Sequence, residues 1–304
     1  MIAIVIPYYK LTFFDATLDS LAAQTNQNFK VYIGDDASPE NPSLLLEKYK
    51  LQFDFIYHRF ANNLGGTSLT QQWERCIALS NNEEWIMILG DDDYLSKNVV
   101  SEFYDNYNLF HTNCNVLRYS TKIIYQNIGE ESNLYTNPLF ETGIQYISRK
   151  IKGKARGSLS EFVFKKNEFL KYKFTSYPSA FYSDDKIVID LTKVKYIFST
   201  NTAFVFVRIS SESLSGKAEI AKNNLFEARF EFFEYLISIK YYLFDIYTRK
   251  VIVERLMSYT YQHRKQNVLL FLNLYYKSIM FLDFNFFVKI NKKFIKIILG
   301  QSID

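Results

Sequence analysis

Three consecutive aspartates, Asp91, Asp92 and Asp93, stand directly after the apolar run Trp85-Ile86-Met87-Ile88-Leu89-Gly90. Adjacent carboxylates repel one another and suit neither helix nor strand, so placing three of them where a buried strand surfaces carries a local cost. A divalent cation would remove it. Mg2+ or Mn2+ takes one or two carboxylates and completes its shell with substrate phosphate oxygens. A solvated acidic turn is the plain alternative. A second acidic step, Asp35-Asp36, ends another apolar run and is followed by Ala37-Ser38-Pro39, a composition that an ordinary turn also explains. A third, Asp184-Asp185, opens an apolar run of helical length. There the carboxylates would sit at a helix N-terminus with Ser183 as its cap.

Cations accompany these acids. Lys152-Gly153-Lys154-Ala155-Arg156-Gly157-Ser158-Leu159-Ser160 combines glycine flexibility with three positive charges. It reads either as a phosphate grip or as a flexible solvated loop. Arg208, at the end of the apolar run Phe204 to Val207, is open to the same two readings, a diphosphate contact or a strand-end arginine.

The elements that must position these groups follow from periodicity. Residues 2–6 read as a buried strand stopped by Pro7, and Phe29 to Gly34 and Phe53 to His58 as further strands. Amphipathic helices are expected at 12–23, 42–50 and 67–79, and the run before Asp91 is a fourth strand. Strand–helix alternation of this kind predicts βαβ units and a parallel sheet. Right-handed crossovers then bring Asp35-Asp36 and Asp91-Asp92-Asp93 to one sheet edge, where such folds bind ligands. A carboxylate there can accept from a base N–H or a ribose hydroxyl while the aspartate run holds a metal under a diphosphate. Beyond residue 100 the pattern predicts a helix at 101–110, a strand at 115–125, a mobile excursion at 126–138 and a strand at 204–208. From Ala218 onward, Phe, Tyr, Leu and Ile mix with Lys, Arg and Glu, which predicts helices near 219–245, 247–263 and 265–298. Phe284, Phe286, Phe287, Phe294 and Ile297 alternate there with Lys289, Lys292, Lys293 and Lys296. That face suits an anionic membrane surface, and equally a helical core or a homodimer seam.

Composition bounds the function. The net charge is +4 over 304 residues, which does not indicate a nucleic-acid surface. Cys76 and Cys114 have no metal-ligand spacing and form no disulfide framework, so a reducing compartment is expected. The N-terminus reads as a strand rather than a signal peptide, and no uncharged run reaches the roughly 20 residues that span a bilayer.

Five short segments occur in order: Val5-Ile6-Pro7-Tyr8-Tyr9, Leu21-Ala22-Ala23-Gln24-Thr25, Asp35-Asp36-Ala37-Ser38, Asn63-Leu64-Gly65 and Leu89-Gly90-Asp91-Asp92-Asp93-Tyr94-Leu95. Together they resemble the family 2 glycosyltransferases of GT-A fold, closely over about the first hundred residues and more thinly to about residue 215. The resemblance implies a Rossmann-like mixed α/β sheet flanked by helices, with a GT-A domain at 1–216 and a C-terminal helical region at 217–304. It implies nucleotide contacts from Pro7, Tyr8, Tyr9, Asp36, Asn63 and Gly65, ribose contact from Asp91, and metal ligation by Asp92 and Asp93 with Mn2+ or Mg2+. The position of the family's first metal-motif aspartate is Gly90 here, and the position of its metal-binding histidine is Ser210. The family's acidic pair maps onto Asp184 and Asp185, with Asp185 as the catalytic base, and Lys154, Arg156 and Arg208 remain candidates for phosphate or acceptor. The implied activity is inverting transfer from a nucleotide-diphosphate sugar, UDP-linked by expectation. The acceptor would be a glycan or a polyprenyl-diphosphate-linked saccharide in surface-polysaccharide synthesis, at the inner face of the cytoplasmic membrane. A non-catalytic nucleotide-sugar-binding protein is the alternative.

Overall fold

A computed structural model describes residues 1–211, 213, 220–260, 268–281 and 283–299. The chain opens with β1 (Ile2–Tyr8), α1 (Phe14–Ala22), β2 (Phe29–Asp35), α2 (Ser43–Tyr49), β3 (Phe55–Arg59), α3 (Leu69–Ile77) and β4 (Trp85–Ile88). As the alternation predicts, β1 to β4 are mutually parallel, and all of β4 is buried because helices cover both faces of the sheet. Register sets the ligand edge: Tyr8 lies opposite Asp35, and the Leu89 N–H bonds to the Val5 carbonyl. The ends of β1, β2 and β4 therefore converge, carrying Tyr9, Asp36 and Asp91 to one side.

The chain continues through β5 (Tyr94–Leu95), α4 (Val99–Asp105), α5 (Tyr107–Phe110), β6 (Cys114–Tyr125), β7 (Glu130–Glu131) and β8 (Phe140–Glu141). Next come α6 (Gly143–Ile151), β9 (Phe162–Lys165), α7 (Lys166–Tyr172), α8 (Ser183–Leu191) and β10 (Tyr196–Ile209). Among the described residues the sheet runs β3-β2-β1-β4-β9-β6-β10-β5, with β7 on β6 and β8 on β10. β9 is antiparallel to both β4 and β6, so the sheet is mixed. Several local expectations change. The helix expected at 101–110 is two helices meeting at Asn106. The excursion at 126–138 is partly paired, through β7 and a bridge between Thr121 and Tyr135.

The C-terminal region comprises α9 (Ile220–Tyr235), α10 (Ile246–Thr260), α11 (Val268–Ile279) and α12 (Phe284–Leu299). The expected helix at 265–298 is broken because Asp283 starts a new one: its carboxylate accepts from the Phe286 N–H at 3.0 Å. Phe232, Leu236, Leu256, Leu274 and Ile290 join one apolar cluster with Tyr146, Ile147 and Val188; α10 packs on α6, and α9, α11 and α12 pack on α10. The side chains of Lys293, Phe294, Lys296 and Ile297, and the loop residues Leu214 to Gly216, lie outside the described residues.

Candidate active site

The convergent strand ends open into a cleft of about 720 Å³, a size suited to one extended small ligand. Pro7, Tyr9, Asp36, Asn63 and Gly65 line one end, and Gly90 to Asp93 with Arg208 the middle. Lys150, Arg156, Asp184 and Asp185 line the other end. Residues separated by up to 200 positions in the chain thus share one cavity. Lys154 does not join them. It is exposed outside the cleft, its backbone bonded to Arg149.

At the first end, Asp36 organises a loop. Its Oδ1 accepts from the Leu64 N–H at 2.7 Å and its Oδ2 from the Gly65 N–H at 2.8 Å, while Arg75 pairs with the same carboxylate. A Cβ on residue 65 would stand 2.6 Å from Asp36 Oδ2, which is why glycine occupies that position. Replacing Gly65 by alanine is expected to break these bonds and cost ~1–3 kcal/mol, measured by urea denaturation. Asp35 is fully buried and takes Ser38 N–H, Tyr57 Oη and Arg59, so it is a strut beneath the loop. Tyr8 also lines the cleft, although little of it reaches the surface. Strand alternation turns its ring into the core against Phe14, and its hydroxyl donates to the Glu40 carbonyl. The exposed aromatic at this end is Tyr9.

The aspartate loop is held from three sides. Asp91 Oδ2 accepts from the Tyr9 and Lys10 N–H groups at 2.7 and 2.9 Å, tying the loop after β1 to the loop after β4. Asp93 Oδ1 accepts from the Arg208 N–H at 2.9 Å, and the Arg208 guanidinium donates to the Asp92 carbonyl at 3.0 Å. The Gly90 N–H donates to Ser160 Oγ at 3.1 Å. Burial, and then the charge of Asp92, pushes both Asp91 and Asp93 up to about 7. Burial raises Asp92 as well. Among the described residues no group of three or more His, Cys, Asp or Glu is arranged to hold an ion. Two carboxylates flank Gly90: a Cβ there would stand 3.0 Å from Asp92 Oδ1 and 3.2 Å from Asp93 Oδ2. That proximity explains the glycine, since a side chain at 90 would fill the space the two oxygens share. A two-carboxylate set fits Mg2+ or Mn2+, which draws its remaining ligands from water and phosphate. Ser210, at the position of the expected histidine, is turned into a closed Ser210–Ser213 hydrogen-bonded turn.

At the far end stand the carboxylates of α8. Tyr182, not Ser183, occupies the cap position, in a left-handed conformation (φ 66°), and Ser183 Oγ instead donates to the Thr175 carbonyl at 2.6 Å. Ser179 and Ala180 are also left-handed, so three non-glycine residues within four positions hold a costly backbone beside the acidic pair. Helix α9 secures that segment: Asn224 donates to Ser179 Oγ, Arg229 donates to Tyr182 Oη, and Phe232 stacks on Tyr182 with centroids 4.9 Å apart. The two acids then differ. Asp185 has no exposed surface and is fully engaged, with Lys150 Nζ 2.8 and 2.7 Å from its two oxygens and Tyr146 Oη donating at 2.8 Å. Asp184 is partly exposed in the cleft, and burial together with the charge of Asp185 pushes it up to about 6.

Sequence reasoning missed Tyr146 and Lys150, whose only signal was an i, i+4 spacing on a helix, and Arg75. It also missed the buried cluster behind them, where Arg118 bonds Glu161 at 2.7 Å and Arg149 pairs with Glu141 at 2.8 Å.

The chain matches the family described as Glycosyl transferase family 2 over residues 3–158. No curated protein sequence matches it. Among solved structures, S. aureus TarS 1-349 in complex with UDP-GlcNAc superposes with a TM-score of 0.64 at 15% identity, covering 97% of this chain and 81% of that one. The same fragment in complex with UDP gives 0.61 at 15% identity, covering 88% and 73%. S. aureus TarS gives 0.60 at 15% identity, covering 86% of this chain and 43% of that one. These likenesses are of fold: a mixed α/β sheet flanked by helices, followed by C-terminal helices. The family match covers more than half of the 304 residues, and the chain belongs to glycosyl transferase family 2.

Proposed function

We propose that the protein is an inverting glycosyltransferase that takes a sugar from a UDP-linked donor and delivers it to a hydroxyl of a glycan or lipid-linked saccharide. The observation that carries the reading is one cleft lined together by Tyr9, Asp36 and Gly65, by the carboxylates Asp91 to Asp93, and by the partly exposed carboxylate of Asp184. In the reaction an acceptor hydroxyl oxygen attacks the anomeric carbon, the bond from that carbon to the diphosphate oxygen breaks with inversion, and UDP leaves. The hydroxyl proton passes to Asp184. The resemblance alone points to Asp185, but Asp185 is held on both oxygens, whereas Asp184 faces the cavity with the raised proton affinity a general base needs near neutral pH. Asp91 and Tyr9 would order the ribose and base end, and Arg208 and Arg156 would face the diphosphate or acceptor. A divalent ion, when bound, neutralises the departing diphosphate, and Asp92 with Asp93 would hold it. Titration calorimetry with UDP, ADP and GDP tests the donor class. Saturable binding favouring UDP is expected, and preference for a purine diphosphate would overturn it.

The finer reading of the C-terminal helices is contact with the inner face of the cytoplasmic membrane. No helix among the described residues is long and apolar enough to cross a membrane. Tyr242, Leu243, Ile246 and Tyr247 are each at least 59% exposed where α10 begins, and Lys277 sits against the Tyr242 ring, whereas Lys152 is paired with Asp245 at 2.8 Å. Apolar insertion flanked by cations suits an anionic interface, at about 1 kcal/mol per cation. Phe286 and Ile290 do not contribute, being core residues, and Lys289 pairs with Glu254 at 2.7 Å. Sedimentation with phosphatidylglycerol vesicles is expected to fall with salt and to fall several-fold in a Leu243→Asp, Ile246→Asp variant. Vesicle binding that this variant retains would point elsewhere, and concentration-dependent dimerisation lost in it would assign the face to a dimer.

A further inference from the structure

We infer that the buried pair of Glu161 and Arg118 is a positioning device that holds Arg156 in the cleft as a contact for the donor's diphosphate. The inference deepens the proposed function and rests on its reading of Arg156 as a phosphate contact.

Glu161 divides its carboxylate between a fixed strut and the cleft wall. Its Oε1 accepts from Arg118 Nε at 2.7 Å, while its Oε2 accepts from the Ser158 N–H at 3.2 Å and lies 3.8 Å from Arg156 Nη1. Arg118 in turn donates to the Arg156 carbonyl, and Thr121 Oγ1 accepts from Arg156 Nη1 at 3.2 Å. Arg156 is therefore held at both its backbone and its guanidinium. The strut is well fixed: Arg118 belongs to β6, is 1% exposed, and sits over the rings of Tyr146 and Phe162 at 4.5 and 5.3 Å. Glu161 has no exposed surface. A buried ion pair gains little over apolar packing of the same volume, so stability does not account for this one, whereas the geometry it imposes on the cleft wall does. That wall meets the aspartate loop, because Ser160 Oγ accepts from the Gly90 N–H at 3.1 Å. Arg156 is near enough to Asp93 for its charge to favour the ionised carboxylate, against the larger effect of burial. Within the cluster, Glu161 and Glu141 face three guanidiniums, those of Arg118, Arg149 and Arg156, and Arg156 is the one that lines the cleft. The unbalanced positive charge is thus turned toward the cavity, where diphosphate oxygens can accept from it.

The test is titration calorimetry of pyrophosphate and of UDP with Mg2+, beside ligand-observed NMR titration of uridine, all on the full chain. Glu161→Gln removes a negative charge, so by charge alone it would tighten the binding of an anion. Positioning predicts the opposite: pyrophosphate and UDP are expected to weaken about tenfold, the worth of one hydrogen bond to a charged group, with uridine affinity unchanged. Arg156→Ala should weaken the two anions equally, and the Glu161→Gln, Arg156→Ala double variant no further, since both changes act through one guanidinium. If Glu161→Gln does not fold, Thr121→Val takes its place. It removes only the hydroxyl that accepts from Arg156, and is expected to weaken both anions about threefold. Anion affinity unchanged or tightened in these variants, additive losses in the double variant, or a parallel fall in uridine affinity would overturn the inference. Failure of the transferase reading looks different: the anion pattern would stand in a protein that prefers a purine diphosphate to UDP or that turns over no sugar donor.

Discussion

Asp184→Asn is expected to lower sugar transfer by at least ~10²-fold while leaving UDP affinity unchanged. Asparagine keeps the size and a hydrogen-bond acceptor but cannot take the acceptor's proton. The pH profile carries the same expectation with a definite sign. Asp184 titrates at about 6, raised by burial and by Asp185, so below that pH it is protonated and inactive as a base. Wild-type kcat/KM should therefore rise through about pH 6, and the residual rate of the variant should lack that limb. Asp185→Asn behaves differently. It leaves Lys150 Nζ facing a neutral group in a buried site, so it should cost on the order of 3–5 kcal/mol of stability, the penalty for breaking a buried ion pair. Urea denaturation beside initial rates separates the two. Were Asp185→Asn stable and inactive and Asp184→Asn active, the roles of the pair would be reversed.

Asp92→Ala is expected to abolish the divalent-ion dependence of UDP binding, with affinity falling by roughly 10²-fold, about 2.7 kcal/mol. Chelation of wild-type protein should produce the same weakening, and chelation of the variant should add nothing. The fold should survive, because Asp92 is only partly buried and its contact with Arg208 is through the backbone carbonyl. Calorimetry of UDP with and without Mn2+ measures all four cases. Equal affinity in all of them would remove the metal from the account.

What was legible in the sequence was whatever depends on local pattern. Buried β1, β2 and β4 announce themselves as apolar runs, and their parallel order follows from the helices between them. Asp36 and Asp91 to Asp93 were found because acids at strand ends are conspicuous. Hydrogen-bond partners were not legible. Nothing in Asp184-Asp185 says which acid turns inward, since that depends on Lys150 and Tyr146 from a helix 35 and 39 residues earlier. Tyr8 and Tyr9 look equivalent until strand alternation is anchored by the packing of Tyr8 on Phe14. The break at Asp283 was hidden by continuous apolar texture, although an aspartate that can cap was present. The strained stretch from Ser179 to Tyr182 could not be read at all, because left-handed non-glycine residues are imposed by tertiary contacts, here with α9.

The central claim is that one cleft binds a UDP-sugar and transfers its sugar. It is tested most directly by incubating the protein with a panel of nucleotide sugars, Mn2+ and lipid-linked or free saccharide acceptors, and measuring UDP released together with glycosylated product. The account predicts stoichiometric UDP and product from at least one UDP-sugar, with both lost in Asp184→Asn. Tight UDP-sugar binding with no release of UDP from any donor, in the wild-type protein and with every acceptor, would contradict it and identify a binding protein instead.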